Sequence, residues 1–192
     1  MKTFVITGST RGIGFALARE FLKKGCQVVI NGRSDASVNT SIEKLAVACS
    51  RNLIAGFPCN VTQYDEVITL WQLSKSKFGN IDIWINNAGI SNGQASFWEI
   101  PVDEIRSVIE TNMLGELFGT KVAVQGFLEQ GFGALYNVEG LGQMAKPITS
   151  KASQFMGQQK QGYIISISAF SKKLIIRRLL QVRCNPGWSS LT

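Results

Sequence analysis

The chain has 192 residues, 45% of them hydrophobic, a length and composition that fit one soluble globular domain with a real core. Its formal net charge of +7 sits in one segment: residues 143–192 hold eight Lys/Arg and no Asp or Glu, which leaves −1 for residues 1–142 and gives the main body no electrostatic call for nucleic acid. The absence of histidine and the four widely spaced cysteines (Cys26, Cys49, Cys59, Cys184) indicate neither a zinc site nor a disulfide framework, and no apolar stretch approaches the length of a membrane span. Met1 leads almost at once into an apolar run without a signal-peptide layout, so a reducing cytoplasm is the expected location.

Thr3–Ile6 is a β-branched and aromatic run, followed by Gly8-Ser-Thr-Arg-Gly-Ile-Gly14 and by Phe15, Leu17, Ala18, Phe21 and Leu22 at helical spacing up to Gly25. That order reads as strand, glycine loop and helix. Val28–Ile30 is a second buried strand running into Asn31-Gly-Arg33, then come a helix with apolar positions at Ile42, Leu45 and Val47 and a third strand over Leu53–Phe57. A helix from Gln63 to Phe78 turns Val67, Ile68, Leu70, Trp71 and Leu73 inward, and Ile81–Ile85 is a fourth strand that enters Asn86-Asn87-Ala88-Gly89. Pro101 starts a long helix through Ile105, Val108, Ile109 and Asn112 towards Phe127, and Ala134–Val138 is a fifth strand. The alternation predicts an α/β fold over residues 1–142, a doubly wound parallel sheet of the Rossmann-like kind with right-handed crossovers, truncated and followed by an atypical basic tail over 143–192. No internal repeat or linker divides it.

Placed between the first strand and its helix, the loop with Gly8, Gly12 and Gly14 has the properties of a dinucleotide site. Its glycines allow a tight turn and close approach to a pyrophosphate, whose charge the helix N-terminus stabilises. No metal site is indicated.

In order and spacing, Thr7-Gly8-x-x-x-Gly12-Ile13-Gly14, Asn86-Asn87-Ala88-Gly89 and Asn112 resemble the short-chain dehydrogenase/reductases over residues 1–142. The resemblance implies that Ser9, Arg11 and Ile13 line the phosphates, that Asn60 and Val61 flank the adenine, and that Asn87, Ala88 and Gly89 form the floor under the nicotinamide ribose. It implies that Asn112 orders a helix kink and a water relay, that the substrate is a small carbonyl or alcohol, and that the protein forms a homo-oligomer. An acidic residue closing the second strand would bind an NAD ribose; this chain has Arg33 there and Arg11 in the loop, two guanidinium groups able to clamp a 2′-phosphate. NADPH is therefore expected ahead of NADH.

In the family a tyrosine supplies the proton as hydride reaches the carbonyl carbon, its pKa lowered by a lysine, while a serine polarises the carbonyl. The Tyr-x-x-x-Lys motif is absent: Tyr163 is followed four places later by Ile167, and Pro147 stands four places before Lys151. The alternation Gly162–Ser168 imitates a fifth strand ending in Ser168 but lies too far beyond Asn112 to be one.

The genetic code offers an account of the tail. If each codon after Gly142 is read from its third base, Met144–Ala145 and Met156–Gly157 must both give glycine, because methionine has a single codon. Around them Ser-Asp-Gly and Tyr-Gly-Ala-Thr-Lys-Ala are permitted, and Asn185–Thr192 permits Pro-Gly-Met-Val-Val-Thr-Asp. Residues 143–192 are thus expected to be the out-of-frame product of a gene for a complete reductase, and this chain is expected to be catalytically impaired. Together with Tyr136–Gly142 these motifs resemble the chlorophyll b reductase-like branch, and Gly140 stands where most of the family carries the catalytic serine. The alternative is a non-catalytic nucleotide-binding protein whose basic tail binds a partner.

Overall fold

The computed structural model describes residues 1–91 and 96–138, and the backbone of 177–183. Its strands are β1 (Thr3–Ile6), β2 (Gln27–Gly32), β3 (Ile54–Pro58), β4 (Ile83–Asn86), β5 (Phe132–Asn137) and β6 (Arg177–Arg183). Its α-helices are α1 (Gly12–Lys23), α2 (Asp35–Ala46), α3 (Tyr64–Phe78), α4 (Val102–Ile109) and α5 (Gly115–Gln130), and a π-helical turn, Glu110–Leu114, joins the last two without a break.

The sheet order is β3-β2-β1-β4-β5-β6, with β1 to β5 parallel. Strand order reverses between β1 and β4, so the crevice beyond the carboxyl ends of those two strands is the place where this topology binds ligands. Because both faces of the sheet are covered, its strands read as continuous apolar runs and their side chains divide between two cores. Phe4, Ile6, Val28, Ile30, Ile54 and Ile85 pack against Ala18, Leu22, Val38, Ile42 and Leu45 of α1 and α2. On the opposite face Val5, Val29, Ala55, Trp84 and Leu135 meet Val67, Leu70 and Trp71 of α3 and Val122, Ala123 and Phe127 of α5. Trp71 lies at the centre of that second core, 5.9 Å from the Trp84 ring and 5.4 Å edge-on from Phe127. Gly126 makes the arrangement possible, since a Cβ there would lie 1.9 Å from the Trp71 ring.

The structure corrects the sequence reading at three places. Val47 is 88% exposed rather than inward, because α2 ends at Ala46 and Val47 only caps it. Leu73 is also exposed, since the buried line of α3 runs through Val67, Leu70, Trp71 and Ser74 and leaves Leu73 on its flank. The sheet is parallel only through β5: Arg177–Arg183 pairs antiparallel with β5, with a register shift at Leu135/Tyr136. The reading gave that segment no element. The outer edge of β5 carries unpaired main-chain groups, and a β-prone segment satisfies them in either direction.

Cys59, at the end of β3, is buried, and burial first, with the Glu66 charge second, pushes its thiol up to about 12. It therefore stays protonated where thiolates attack alkylating reagents. Iodoacetamide at pH 8 is expected to label the half-buried Cys26 and Cys49 well before Cys59, as read by peptide mass spectrometry. Equal rates at Cys59 and Cys26 would contradict this burial.

Candidate functional site

The glycine turn is held from both sides by side chains that the apolar strands deliver to their ends. Thr7, buried after β1, accepts hydrogen bonds at Oγ1 from the N–H groups of Asn87 (2.9 Å) and Ala88 (3.1 Å). Gly8 follows at φ +61°, and a Cβ there would lie 2.6 Å from Ala88 Cα, so only glycine fits between β1 and the loop after β4. Its N–H donates to Asn31 Oδ1 (3.0 Å), and its carbonyl accepts from Asn87 Nδ2 (3.0 Å), which also donates to the Thr7 carbonyl (2.8 Å). Gly14 completes the cradle: a Cβ there would meet Asn87 Nδ2 at 2.4 Å and Ser9 Cα at 2.8 Å.

Of the residues expected to line phosphates, Ser9 turns inward. It is fully buried, its hydroxyl donates to the Ile6 carbonyl (2.6 Å) and accepts from the Asn31 N–H (2.9 Å), so it shapes the loop from beneath. Arg11, Gly12 and Ile13 face outward at the head of α1. Arg11 takes the N-cap position without a side-chain cap bond, and the first turn of α1 holds no acidic residue. Among the described residues the leading N–H groups of this helix thus meet no side-chain acceptor, which is what an anion at a helix N-terminus requires.

Arg33 stands exposed two residues beyond Asn31, where β2 gives way to α2. Ser34 caps α2, accepting from the Ser37 N–H, and Ser41 Oγ donates to the Thr10 carbonyl (3.0 Å), which fastens the loop to that helix. Gly32 lies under Thr10, whose Cγ2 would be 2.5 Å from an added Cβ. Among the described residues neither Arg11 nor Arg33 is paired with a carboxylate.

At the end of β3, Asn60 Oδ1 accepts from the N–H and hydroxyl of Thr62, and Glu66 accepts from the Asn60 N–H (2.7 Å). Val61 is buried beneath Gly115, where a Cβ would lie 2.7 Å from Val61 Cγ2. The strand ends therefore bring Gly8, Asn31–Arg33, Asn60–Val61 and Asn87–Gly89 to one edge of the sheet.

Asn112 lies in the π-helical turn, and its carboxamide grips one residue of the loop after β4: Oδ1 accepts from the Ile90 N–H (2.9 Å) and Nδ2 donates to the Ile90 carbonyl (2.8 Å). A π-helical turn inserts one residue into a helix and is often found at functional sites. Gly89 sits against this clamp, its position for a Cβ 3.4 Å from Asn112 Oδ1. The carboxyl ends of β4 and β5 are joined by a second group of polar residues. Trp84 Nε1 donates to Asn86 Oδ1 (2.8 Å), and Asn86 Nδ2 donates to Asn137 Oδ1 (3.0 Å) and lies within bonding distance of Thr120 Oγ1 and the Glu116 carbonyl. Asn137 Nδ2 in turn donates to Glu116 Oε1.

Sequence reasoning singled out Asn87 and Asn112, and named Thr7 within the glycine motif, but gave no role to Asn31, Asn137 or Glu116. The signal for two of them was present: an asparagine closing an apolar strand, as in Val28-Val-Ile-Asn31 and Ala134-Leu-Tyr-Asn137, is a buried polar group that must find partners. Tyr163, Lys151, Pro147, Ile167, Ser168, Gly140 and Gly142 lie outside the described residues. The described tyrosines sit elsewhere: Tyr64 lies under Lys121 and against Phe118 between α3 and α5, and Tyr136 packs on the α1–α2 core. Among the described residues no cluster of His, Cys, Asp or Glu could hold a metal ion, and no helix is long and apolar enough to cross a membrane.

The family model for short chain dehydrogenases matches residues 2–147. A chlorophyll(ide) b reductase NOL of Arabidopsis thaliana is 39% identical over 146 residues, covering 74% of this chain and 41% of its own. A probable chlorophyll(ide) b reductase NYC1 of Oryza sativa subsp. japonica is 36% identical over 157 residues, covering 73% of this chain and 31% of its own. Both are named as chloroplastic. The chain thus spans less than half the length of these two relatives. Among solved structures, ElxO with NADP bound superposes with a TM-score of 0.67 at 31% identity, over 73% of this chain and 56% of ElxO.

Proposed function

This chain belongs to the short-chain dehydrogenase family, and we propose on that footing that residues 1–138 form an NADPH-binding unit that lacks the proton-donating half of a carbonyl reductase. One observation carries the reading. The cradle formed by Gly8 and Gly14 lies at an uncapped helix N-terminus, and Arg11 and Arg33, exposed and without a carboxylate partner among the described residues, stand on the two segments beside it.

The nicotinamide cofactor, when bound, supplies the hydride. This chain's residues bind and orient: the α1 N-terminus takes the pyrophosphate, Arg11 and Arg33 clamp the 2′-phosphate, and Asn87 to Gly89 set the floor of the pocket while Asn112 fixes Ile90 beside it. The substrate is a carbonyl or alcohol of the class used by the chlorophyll b reductase-like relatives. Residues 143–192 arise from a shifted reading frame, which removed Tyr-x-x-x-Lys and with it the proton donor.

A thermal-shift titration tests the cofactor half of this reading. At NADPH near 100 times Kd the midpoint is expected to rise by roughly 5–10 °C, since a ligand that binds only the folded state stabilises it by about 2.7 kcal/mol. NADH should give a smaller shift at equal concentration, and Arg33→Ala should bring the NADPH shift down to the NADH one. A chain indifferent to both cofactors contradicts the reading.

A second reading is favoured by one observation, the pairing of β6 with β5. It makes the chain a non-catalytic nucleotide-binding protein whose basic tail docks to a partner. Limited proteolysis separates the two: cleavage throughout 143–192 supports the shifted frame, and protection of that segment together with salt-sensitive partner binding supports docking.

A further inference from the structure

Asn31 is almost completely buried and has no place in the family motifs, yet every hydrogen-bonding group of its backbone and carboxamide is engaged around the glycine turn. Oδ1 accepts the Gly8 N–H (3.0 Å), and Nδ2 lies within bonding distance of the carbonyls of Cys59 (3.1 Å), Phe57 (3.3 Å) and Gly32 (3.3 Å). Its own N–H donates to Ser9 Oγ (2.9 Å) and its carbonyl accepts the Ser9 N–H (2.8 Å). One residue thereby ties together the glycine turn, the end of β2 and the end of β3. Arg11 lies three residues beyond Gly8, and Arg33 lies two residues beyond Asn31, so the Asn31–Gly8 bond sits at the root of both arginine-bearing segments.

We propose that Asn31 is a positioning residue for cofactor selectivity: by locking the glycine turn to the β2–α2 junction it fixes the spacing of Arg11 and Arg33, and so sets the preference for a 2′-phosphate without touching the cofactor. The proposal rests on the NADPH reading above and goes further in assigning selectivity to a buried group. The physical reason is geometric. Two guanidinium groups hold one phosphate strongly only when both reach it from fixed anchors, and an anchor free to shift turns a two-sided clamp into a single, solvent-screened contact. The pyrophosphate contact depends less on this spacing, because Asn87, beyond β4, ties the Thr7 and Gly8 carbonyls independently of Asn31.

Calorimetric titration of the full chain with NADPH and with NADH tests it, using Asn31→Ala, Arg33→Ala and the double variant. Asn31→Ala leaves the Gly8 N–H without its acceptor, and NADPH affinity is expected to fall about tenfold against threefold or less for NADH, the difference being the weakening of one exposed, solvent-screened charge contact. The two substitutions should be non-additive, Arg33→Ala costing at least about threefold less NADPH affinity in the Asn31→Ala background than alone. Equal losses for the two cofactors, or additive effects, overturn the proposal and make Asn31 a purely structural residue. Wild-type protein that binds neither cofactor overturns the underlying reading and this proposal with it, whereas a wild-type preference for NADPH that survives Asn31→Ala overturns this proposal alone. Should Asn31→Ala fail to fold, amide exchange in the wild-type protein decides: the Gly8 N–H is expected among the slowly exchanging amides, and exchange as fast as that of exposed loop amides removes the lock.

Discussion

Gly14→Ala is expected to lower NADPH affinity by about a hundredfold or more, the larger part through lost loop geometry and the smaller through lost stability. The added methyl would stand 2.4 Å from Asn87 Nδ2, 2.8 Å from Ser9 Cα and 2.9 Å from the Gly8 carbonyl oxygen. Two of those neighbours are main chain and cannot swing aside. The third, Asn87, could rotate only by giving up its bonds to the Thr7 and Gly8 carbonyls, which hold the turn against the end of β4. Either outcome displaces the N–H groups at the head of α1 from the place where an anion would meet them. Overpacking of this kind costs about 1–3 kcal/mol, or roughly 3–10 °C in midpoint for a chain of this size. Gly12→Ala is the informative control, because φ there is +59° but a Cβ would meet nothing within 4 Å. It should cost about 1 kcal/mol of backbone strain and leave most of the binding. Titration calorimetry and thermal unfolding on both variants separate crowding from strain. Gly14→Ala protein that binds NADPH within tenfold of the parent would falsify the packed cradle.

Much of this was legible in the sequence, for reasons particular to each region. Strands buried on both faces announce themselves as unbroken apolar runs, so β1 to β5 could be read from Thr3–Ile6, Val28–Ile30, Leu53–Phe57, Ile81–Ile85 and Ala134–Val138 to within a residue or two at most ends. The glycine spacing and the Asn86–Gly89 segment marked the crevice, because each sits where an apolar strand stops. What escaped was anything that depends on a partner distant in sequence. Whether Leu73 or Ser74 of α3 faces the core is decided by α5 and β4, and hydrophobicity alone favours the wrong one. The π-helical turn at Glu110–Leu114, which holds Asn112 against Ile90, leaves no mark in the periodicity, and only the resemblance pointed to a helix kink there. Asn31 was visible only as a turn residue after a strand, since its work is done through Gly8, Phe57 and Cys59, which lie 23, 26 and 28 positions away. Buried polar residues at strand ends thus deserve the scrutiny usually given to exposed ones.

On the proposed frame shift, the chain as it stands is expected to bind NADPH and yet reduce carbonyl compounds at least a thousandfold more slowly than a chain whose frame is restored after Gly142. The two halves of that expectation have separate physical origins. The proposed binding residues up to Val138 are tied to one another among the described residues: Asn31 and Asn87 hold Gly8, Asn112 holds Ile90, and Asn86 joins β4 to β5. Turnover needs a proton delivered to the carbonyl oxygen as hydride arrives, and a positioned general acid contributes about 10²- to 10⁴-fold by itself. No described tyrosine takes that part, since Tyr64 lies between α3 and α5 and Tyr136 packs against the α1–α2 core. A serine that polarises the carbonyl and a lysine that lowers the donor's pKa act as a unit with the tyrosine, so their joint loss is not the product of single losses. The experiment is a pair of chains, one as given and one with the frame restored, assayed for NADPH oxidation against a panel of aldehydes and ketones and titrated with NADPH in parallel. The expected result is affinities within a few-fold of each other and rates far apart. Rates within tenfold would mean that residues 139–192 supply a proton donor of their own, and the shifted-frame reading would fall. Equal inactivity of both chains, with NADPH bound, would move the fault upstream to the pocket floor at Asn87–Gly89 and leave the tail without a part in the chemistry.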